Sequence, residues 1–198
     1  MTSLERDTRQ DIVDVAERFF RQIGYQKTTV ADIAKSLRMS PANVYRFFDS
    51  KKAINEAVAE RAMGELEALV TAIAAEKRPA AERLREILAT TCRLNSARYL
   101  DNQRLHEMVA CAMEESWDVI RAHVERYDAI LRGVVADGME KGEFTAGDAR
   151  TATYCVRAAM IRFCNPLLLT QCGALPGPGV DEMIDFVLAG LGHRADGG

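Results

Sequence analysis

The stretch SPANVYRFFDSKK, positions 40 to 52, holds side chains suited to one kind of chemistry. With Val44 and Phe48, four residues apart, turned to a core, Pro41, Ala42, Asn43, Tyr45 and Arg46 are left facing outward. Ala42 is small and lets a helix approach a groove closely. Asn43 and Tyr45 are hydrogen-bonding, and Arg46 is cationic. An asparagine amide reads an adenine edge, and a guanidinium reads guanine or holds a phosphate. Lys51 and Lys52 fall in the first turn of the next helix, where the macrodipole makes cations unfavourable by about 0.3–1 kcal/mol each. An anion docked on that helix N-terminus would offset the cost. The alternative is that both lysines simply face solvent.

Other chemistries lack their residues. There is no G-x-S-x-G, no H-E-x-x-H and no phosphate-binding glycine loop, so no catalysis and no cofactor are expected. His106 and Cys111 are five apart and share a helix face poorly, which speaks against a metal site. The five cysteines, Cys92, Cys111, Cys155, Cys164 and Cys172, are odd in number and form no C-x-x-C. They are expected to be free, mostly buried thiols.

A chain of 198 residues, 48% hydrophobic and 28% charged, can build a core, and its few prolines and glycines favour helices. The polar N-terminus shows no signal sequence and no apolar run spans a membrane, so the expected compartment is the cytoplasm. The net charge of −3 is uneven. Residues 1 to 52 carry ten basic against seven acidic side chains, and the remainder carries sixteen against twenty-two. A basic head on an acidic body suggests that the head meets a polyanion.

The elements that must position the opening residues follow from periodicity and caps. Ile12, Ala16, Phe19, Phe20 and Ile23 predict a helix over 5–23, closed by Gly24. Thr29 caps a short second helix with Asp32 at its third position, a variant of the capping box, and Val30, Ile33, Ala34 and Leu37 line its inner face. Ser40-Pro41 opens a third helix. The tight turn between the second and third helices makes a helix-turn-helix, which places base contacts at the start of its second helix. Ser50 caps a fourth helix to about residue 75, with Ile54, Val58, Leu66, Leu69 and Ile73 apolar. Further helices are expected from Pro79 to about Ala97, over 102–113, over 116–140 and from Asp148. Pro166 predicts a kink or stop, and a last helix covers about 180–191.

Residues 12 to 58, IVDVAERFFRQIGYQKTTVADIAKSLRMSPANVYRFFDSKKAINEAV, resemble the DNA-binding domain of the TetR family of transcriptional regulators. The resemblance rests on A-x-x-x-F in the first helix, on G-Y-x-x-T-T-V-x-D-I-A and on S-P-x-x-V-Y-x-x-F-x-S-K. It implies an all-α fold, with a helix-turn-helix domain over 1–52 and a helical ligand-binding and dimerisation domain over 53–198. It further implies a homodimer on a near-palindromic duplex operator, a small-molecule effector that releases the DNA, and no membrane partner. By this likeness Thr29 contacts phosphate, Pro41, Ala42 and Asn43 lie against base edges, and Tyr45 and Lys51 hold phosphates. Two departures stand out: Arg38 replaces the family's turn glycine, and Lys52 replaces an acid.

For the body, the resemblance places an effector pocket among the middle helices, where Tyr99, Met108, Cys111, Met113, Trp117, Ile120 and Tyr127 supply apolar bulk and His106, His123 and Arg121 could fix a polar group. Each also suits an ordinary core or surface position. The last two helices are expected to pair with a second copy through Ala152, Val156, Ala159, Phe163, Met183 and Val187. Two competing readings are a thiol-based redox-sensing regulator using Cys155, Cys164 or Cys172, and a helical ligand-binding protein with no DNA role.

Overall fold

The computed structural model describes residues 3–99, 117–145, 147–172 and 176–193. The helix expected over 102–113, with His106, Met108, Cys111 and Met113, lies outside them. The described residues form helices and connections with no strand. In chain order the helices are α1 (Ser3–Ile23), α2 (Val30–Ser36), α3 (Pro41–Tyr45), α4 (Lys51–Ala74), α5 (Ala80–Tyr99), α6 (Trp117–Glu140), α7 (Ala149–Cys164), α8 (Pro166–Cys172) and α9 (Val180–Gly190). None is long and apolar enough to cross a membrane.

The chain divides into two compact units, with boundaries inside α4 and α6. The described part of the first is residues 3–64 with 117–121. In α1, Ile12, Ala16 and Phe20 recur every four residues and are fully buried, and Val13 and Val15 join them, whereas Phe19 is half-buried and Ile23 exposed, so the inner face is shifted from the expected stripe. Gly24 then turns the chain at φ +92°, a conformation that favours glycine. The buried Thr28 hydroxyl donates to the Gly24 carbonyl at 2.8 Å, and the Phe20 and Tyr25 rings meet edge-on at 5.3 Å. Ile54, Ala57 and Val58 of α4 are buried, and Arg61 pairs with Asp14 and Glu17 of α1. These contacts extend the unit to Gly64, well past the expected boundary at residue 52.

The described part of the second unit is residues 65–99 with 122–193. Its core takes Leu66, Val70 and Ile73 from α4, Leu84, Ile87 and Leu88 from α5, and Leu131, Val134 and Val135 from α6. Val156, Met160 and Phe163 of α7 and Ile184, Val187 and Leu188 of α9 complete it. Leu69, expected among the apolar positions of α4, is exposed; Val70, four residues after Leu66, takes the inward place. Gly138 lets α6 close on its neighbours: a Cβ there would stand 2.3 Å from the Phe144 ring. Pro166 produces a stop. α7 ends at Cys164, Asn165 is extended, and its Oδ1 accepts from the amides of Leu167 and Leu168 at 2.9 and 3.2 Å to start α8.

Candidate nucleic-acid interface

Caps determine where the outward-facing residues point. Thr29 is extended, and its Oγ1 accepts from the Asp32 amide at 3.1 Å. Asp32 in return accepts from the Thr29 amide at 3.0 Å and from its hydroxyl at 2.6 Å, a reciprocal box that holds the Asp32 carboxyl below the usual aspartate range. α2 closes with the Arg38 amide on the Lys35 carbonyl at 3.1 Å and the Met39 amide on Ala34 at 3.0 Å, the paired bonds of a Schellman turn. Its left-handed position is Arg38, at φ +55°, where glycine is usual. Ser40 Oγ then accepts from the Asn43 amide at 3.2 Å, and Pro41 supplies the preset first position of α3. Val44 and Phe48 are buried beneath, with the Arg9 guanidinium 4.4 Å from the Phe48 ring centre.

On this scaffold Pro41, Ala42, Tyr45 and Arg46 are exposed, Tyr45 by 49% although it is a large aromatic. Asn43 is half-buried, its amide nitrogen 3.8 Å from the Met39 sulfur, a weak partner. Thr29 is exposed, but its hydroxyl donor is committed to Asp32. Lys52 is exposed, with Glu56 at 3.8 Å.

Lys51 departs from the expected role. Its ammonium donates to the carbonyls of Tyr25 at 2.9 Å, Thr28 at 3.1 Å and Gln26 at 3.4 Å, and lies 4.3 Å from the Tyr25 ring centre. An ammonium has three donors, so none is left for a phosphate. The physical reason is local: the turn after Gly24 directs three carbonyls at one point, and α4 begins beside them. Lys51 here clamps that loop to the start of α4.

Three further exposed cations lie on or beside α2, and as candidate polyanion contacts they were not singled out from the sequence. Lys27 lies in the loop before α2, Lys35 in its last turn and Arg38 in the turn between α2 and α3. The local charge balance was the only signal that could have pointed to them.

The family model for bacterial regulatory proteins of the tetR family matches residues 12–58, and that for tetracyclin repressor-like C-terminal domains matches 80–177. The chain belongs to the TetR family of transcriptional regulators. IcaR of Staphylococcus aureus (strain Newman), described as a negative transcriptional regulator of the biofilm operon icaADBC, is 46% identical over 48 residues. That match spans 24% of this chain and 26% of IcaR. A crystal structure of a TetR/AcrR-family regulator from Thermobifida fusca is 26% identical with a TM-score of 0.67, covering 96% of this chain and all of that one. FadR from Bacillus subtilis, in complex with stearoyl-CoA, is 21% identical with a TM-score of 0.65, over 92% of this chain and 96% of that one, a likeness of fold.

In this TetR-family chain the C-terminal residues nominated from sequence fall into distinct settings. Tyr99, Ile120 and Tyr127 are half-buried. Trp117 opens α6, and its side chain lies outside the described residues. The Tyr127 hydroxyl lies 2.9 Å from Thr91 Oγ1, and burial pushes its phenol well above the usual range. His123 is paired with Glu67 at 2.6 Å and Arg121 with Asp118 at 2.8 Å, so both are engaged within the subunit.

The expected pairing face needs correction. Val156, Phe163 and Val187 belong to the subunit's own core, 2%, 8% and 6% exposed, and Ala152, Ala159 and Met183 pack half-buried against it. The apolar groups left outside are Tyr154, Ala158 and Ile161 on the opposite side of α7, and Phe186 on α9, 70% exposed. Of the cysteines with described side chains, all free, Cys92 is buried, Cys164 half-buried and Cys155 exposed. Cys111 and the Cys172 side chain lie outside the described residues.

Proposed function

We propose that this TetR-family regulator is a homodimeric repressor that reads a near-palindromic duplex operator through α3 and leaves it when a small molecule enters the helical body. The observation that carries the reading is the outward end of α3. A short helix with its N-cap made and its base buried presents Pro41, Ala42, Tyr45 and Arg46 to solvent, with Asn43 beside them. That mixture of close approach, hydrogen-bonding capacity and cation suits a major groove. Base contacts fall to Pro41, Ala42, Asn43 and Arg46, and backbone contacts to Tyr45 and Lys52, the Thr29 donors being held by Asp32. The similarity to IcaR over 48 residues, in a protein described as a negative regulator, favours repression.

Dimerisation is supported by the second apolar side of α7. Tyr154, Ala158 and Ile161 recur at helical spacing and continue toward no interior of their own subunit, and Phe186 adds a large exposed ring on α9. The effector reading is supported by FadR holding stearoyl-CoA on a similar fold, and by the part-buried Thr91–Tyr127 pair, which offers polar handles.

The test is selection of bound duplexes from a random pool, followed by competition at fixed salt. Wild-type protein should enrich a two-fold-related site, and Asn43→Ala should lose about 1–3 kcal/mol of discrimination at one base position. Equal affinity for selected and random duplexes would remove the reading. A metabolite panel applied to the same complex then tests release.

A further inference from the structure

We propose that Cys92 and Cys164 form a reversible dithiol–disulfide site for hydroperoxides, and that its closure fastens α5 to the end of α7 and shifts operator affinity. Although 72 positions separate them in sequence, the two free sulfurs lie 3.2 Å apart. Each comes from a helix whose position is set by the core, Leu88 packing one turn before Cys92 and Met160 one turn before Cys164. Asn95, on α5, donates its side-chain amide to the Cys164 carbonyl at 2.6 Å, which holds the end of α7 beside α5. A disulfide is about 2 Å long, so closure needs about an ångström of approach. α7 ends at Cys164, and the extended Asn165 still donates its amide to the Ile161 carbonyl at 2.9 Å, so the approach falls to rotation of the two cysteine side chains.

The two thiols are unequal. Cys92 is buried and Cys164 half-buried. The hydrogen bond from Cys164 draws the Cys92 thiol below its ordinary range, while the same bond and burial push Cys164 up. Cys92 is therefore the sulfur that gives up its proton more readily, and Cys164 the one that keeps it. The Cys92 thiolate attacks the O–O bond of hydrogen peroxide, giving a sulfenic acid and hydroxide, which becomes water with the proton that Cys92 had released. The Cys164 sulfur then displaces the sulfenic oxygen, and its proton leaves with that oxygen as a second water. Two thiols and one peroxide give one disulfide and two waters, and a dithiol reductant reverses the change. Cys155, exposed on α7, provides an internal measure of how far ordinary accessible thiols have reacted.

The link itself is independent of DNA, whereas its regulatory effect rests on the operator reading above. Reduced full-length protein is treated with graded hydrogen peroxide, alkylated, digested and mapped by mass, beside Cys92→Ala and Cys164→Ser. A Cys92–Cys164 peptide should appear in wild type, vanish with dithiothreitol and be missing from both variants. Its absence at peroxide levels that oxidise Cys155, or a link between other cysteines, would overturn the site. Operator binding is read on the same samples with the selected duplex. Oxidised wild type should differ from reduced by about fivefold or more, and oxidised Cys92→Ala should match its reduced form. A complete link with unaltered operator affinity would overturn the switch, whereas failure of the reduced wild type to bind any selected duplex would sink the operator reading and leave the mass result standing.

Discussion

Replacing Lys51 by Met separates a structural clamp from a phosphate contact. Methionine keeps most of the apolar stem over the Tyr25 ring but removes the ammonium that three carbonyls share. Hydrogen bonds to charged groups contribute about 1.5–3 kcal/mol, and a partly exposed cation–π contact about 0.5–1 kcal/mol. The contributions do not add, because the site is half-buried and water can reach the abandoned carbonyls. A net loss of about 2–3 kcal/mol follows. For a chain of this size each kcal/mol moves Tm by about 2–4 °C, so the midpoint should fall by roughly 5–10 °C in thermal denaturation followed by circular dichroism. In a salt titration of operator binding, the slope of log K against log salt should stay at its wild-type value, since no phosphate contact is lost. If Lys51 grips a phosphate, the pattern inverts, with an unchanged Tm and a slope smaller by about one unit. That second pattern would refute the clamp.

Arg38→Gly should raise stability by about 0.5–1 kcal/mol in urea denaturation, because glycine occupies the left-handed turn without strain, yet weaken operator binding; unaltered binding would leave Arg38 without a role on DNA. Ile161→Asp and Phe186→Asp should each give a folded monomer by light scattering and circular dichroism, whereas Val156→Asp should fail to fold, since it places a charge in the core; intact dimers in the first two variants would exclude that face. Burial raises the Glu17 carboxyl, but its bonds and charge contacts with Arg21 and Arg61 outweigh this and hold it below the ordinary 4.5. A depressed carboxyl contributes stability above its unfolded value and loses it as pH falls through the folded one. Arg61→Met should therefore be less stable than wild type in urea at neutral pH, with the gap narrowing below pH 4.5; a constant gap would show that the Arg61 charge is not the cause.

The first fifty residues were legible because their signals are local. Thr29 with Asp32, Ser40 before Pro41, and Gly24 after a periodic run each specify a cap within a few positions, and each cap is made. Arg38 was legible for the same reason, as a non-glycine residue forced to a positive φ. Lys51 was not. Its partners, Tyr25, Gln26 and Thr28, lie more than twenty positions away, and nothing in the sequence says that their carbonyls converge. The cation that looked misplaced at a helix N-terminus is explained by acceptors from another part of the chain. The anomaly was real, and neutral carbonyl acceptors account for it without a phosphate. The meeting of Cys92 with Cys164 was hidden likewise, since spacing alone cannot bring together residues on two separate helices.

The C-terminal helices show a subtler limit. Periodicity in α7 finds Val156, Met160 and Phe163, and that stripe is buried, but burial by itself does not say against what. The subunit's own core takes it. A dimer surface must be apolar after the subunit has folded, so the informative residues are the ones periodicity would assign to solvent. Tyr154, Ala158 and Ile161 are such residues, roughly opposite the inner stripe, and Phe186 stands out in the same way on α9, where Ile184, Val187 and Leu188 face inward. A helix apolar on both sides is adapted to two environments. If the second is another copy of this chain, substitutions on the inner stripe should act through folding, and those on the outer stripe through association.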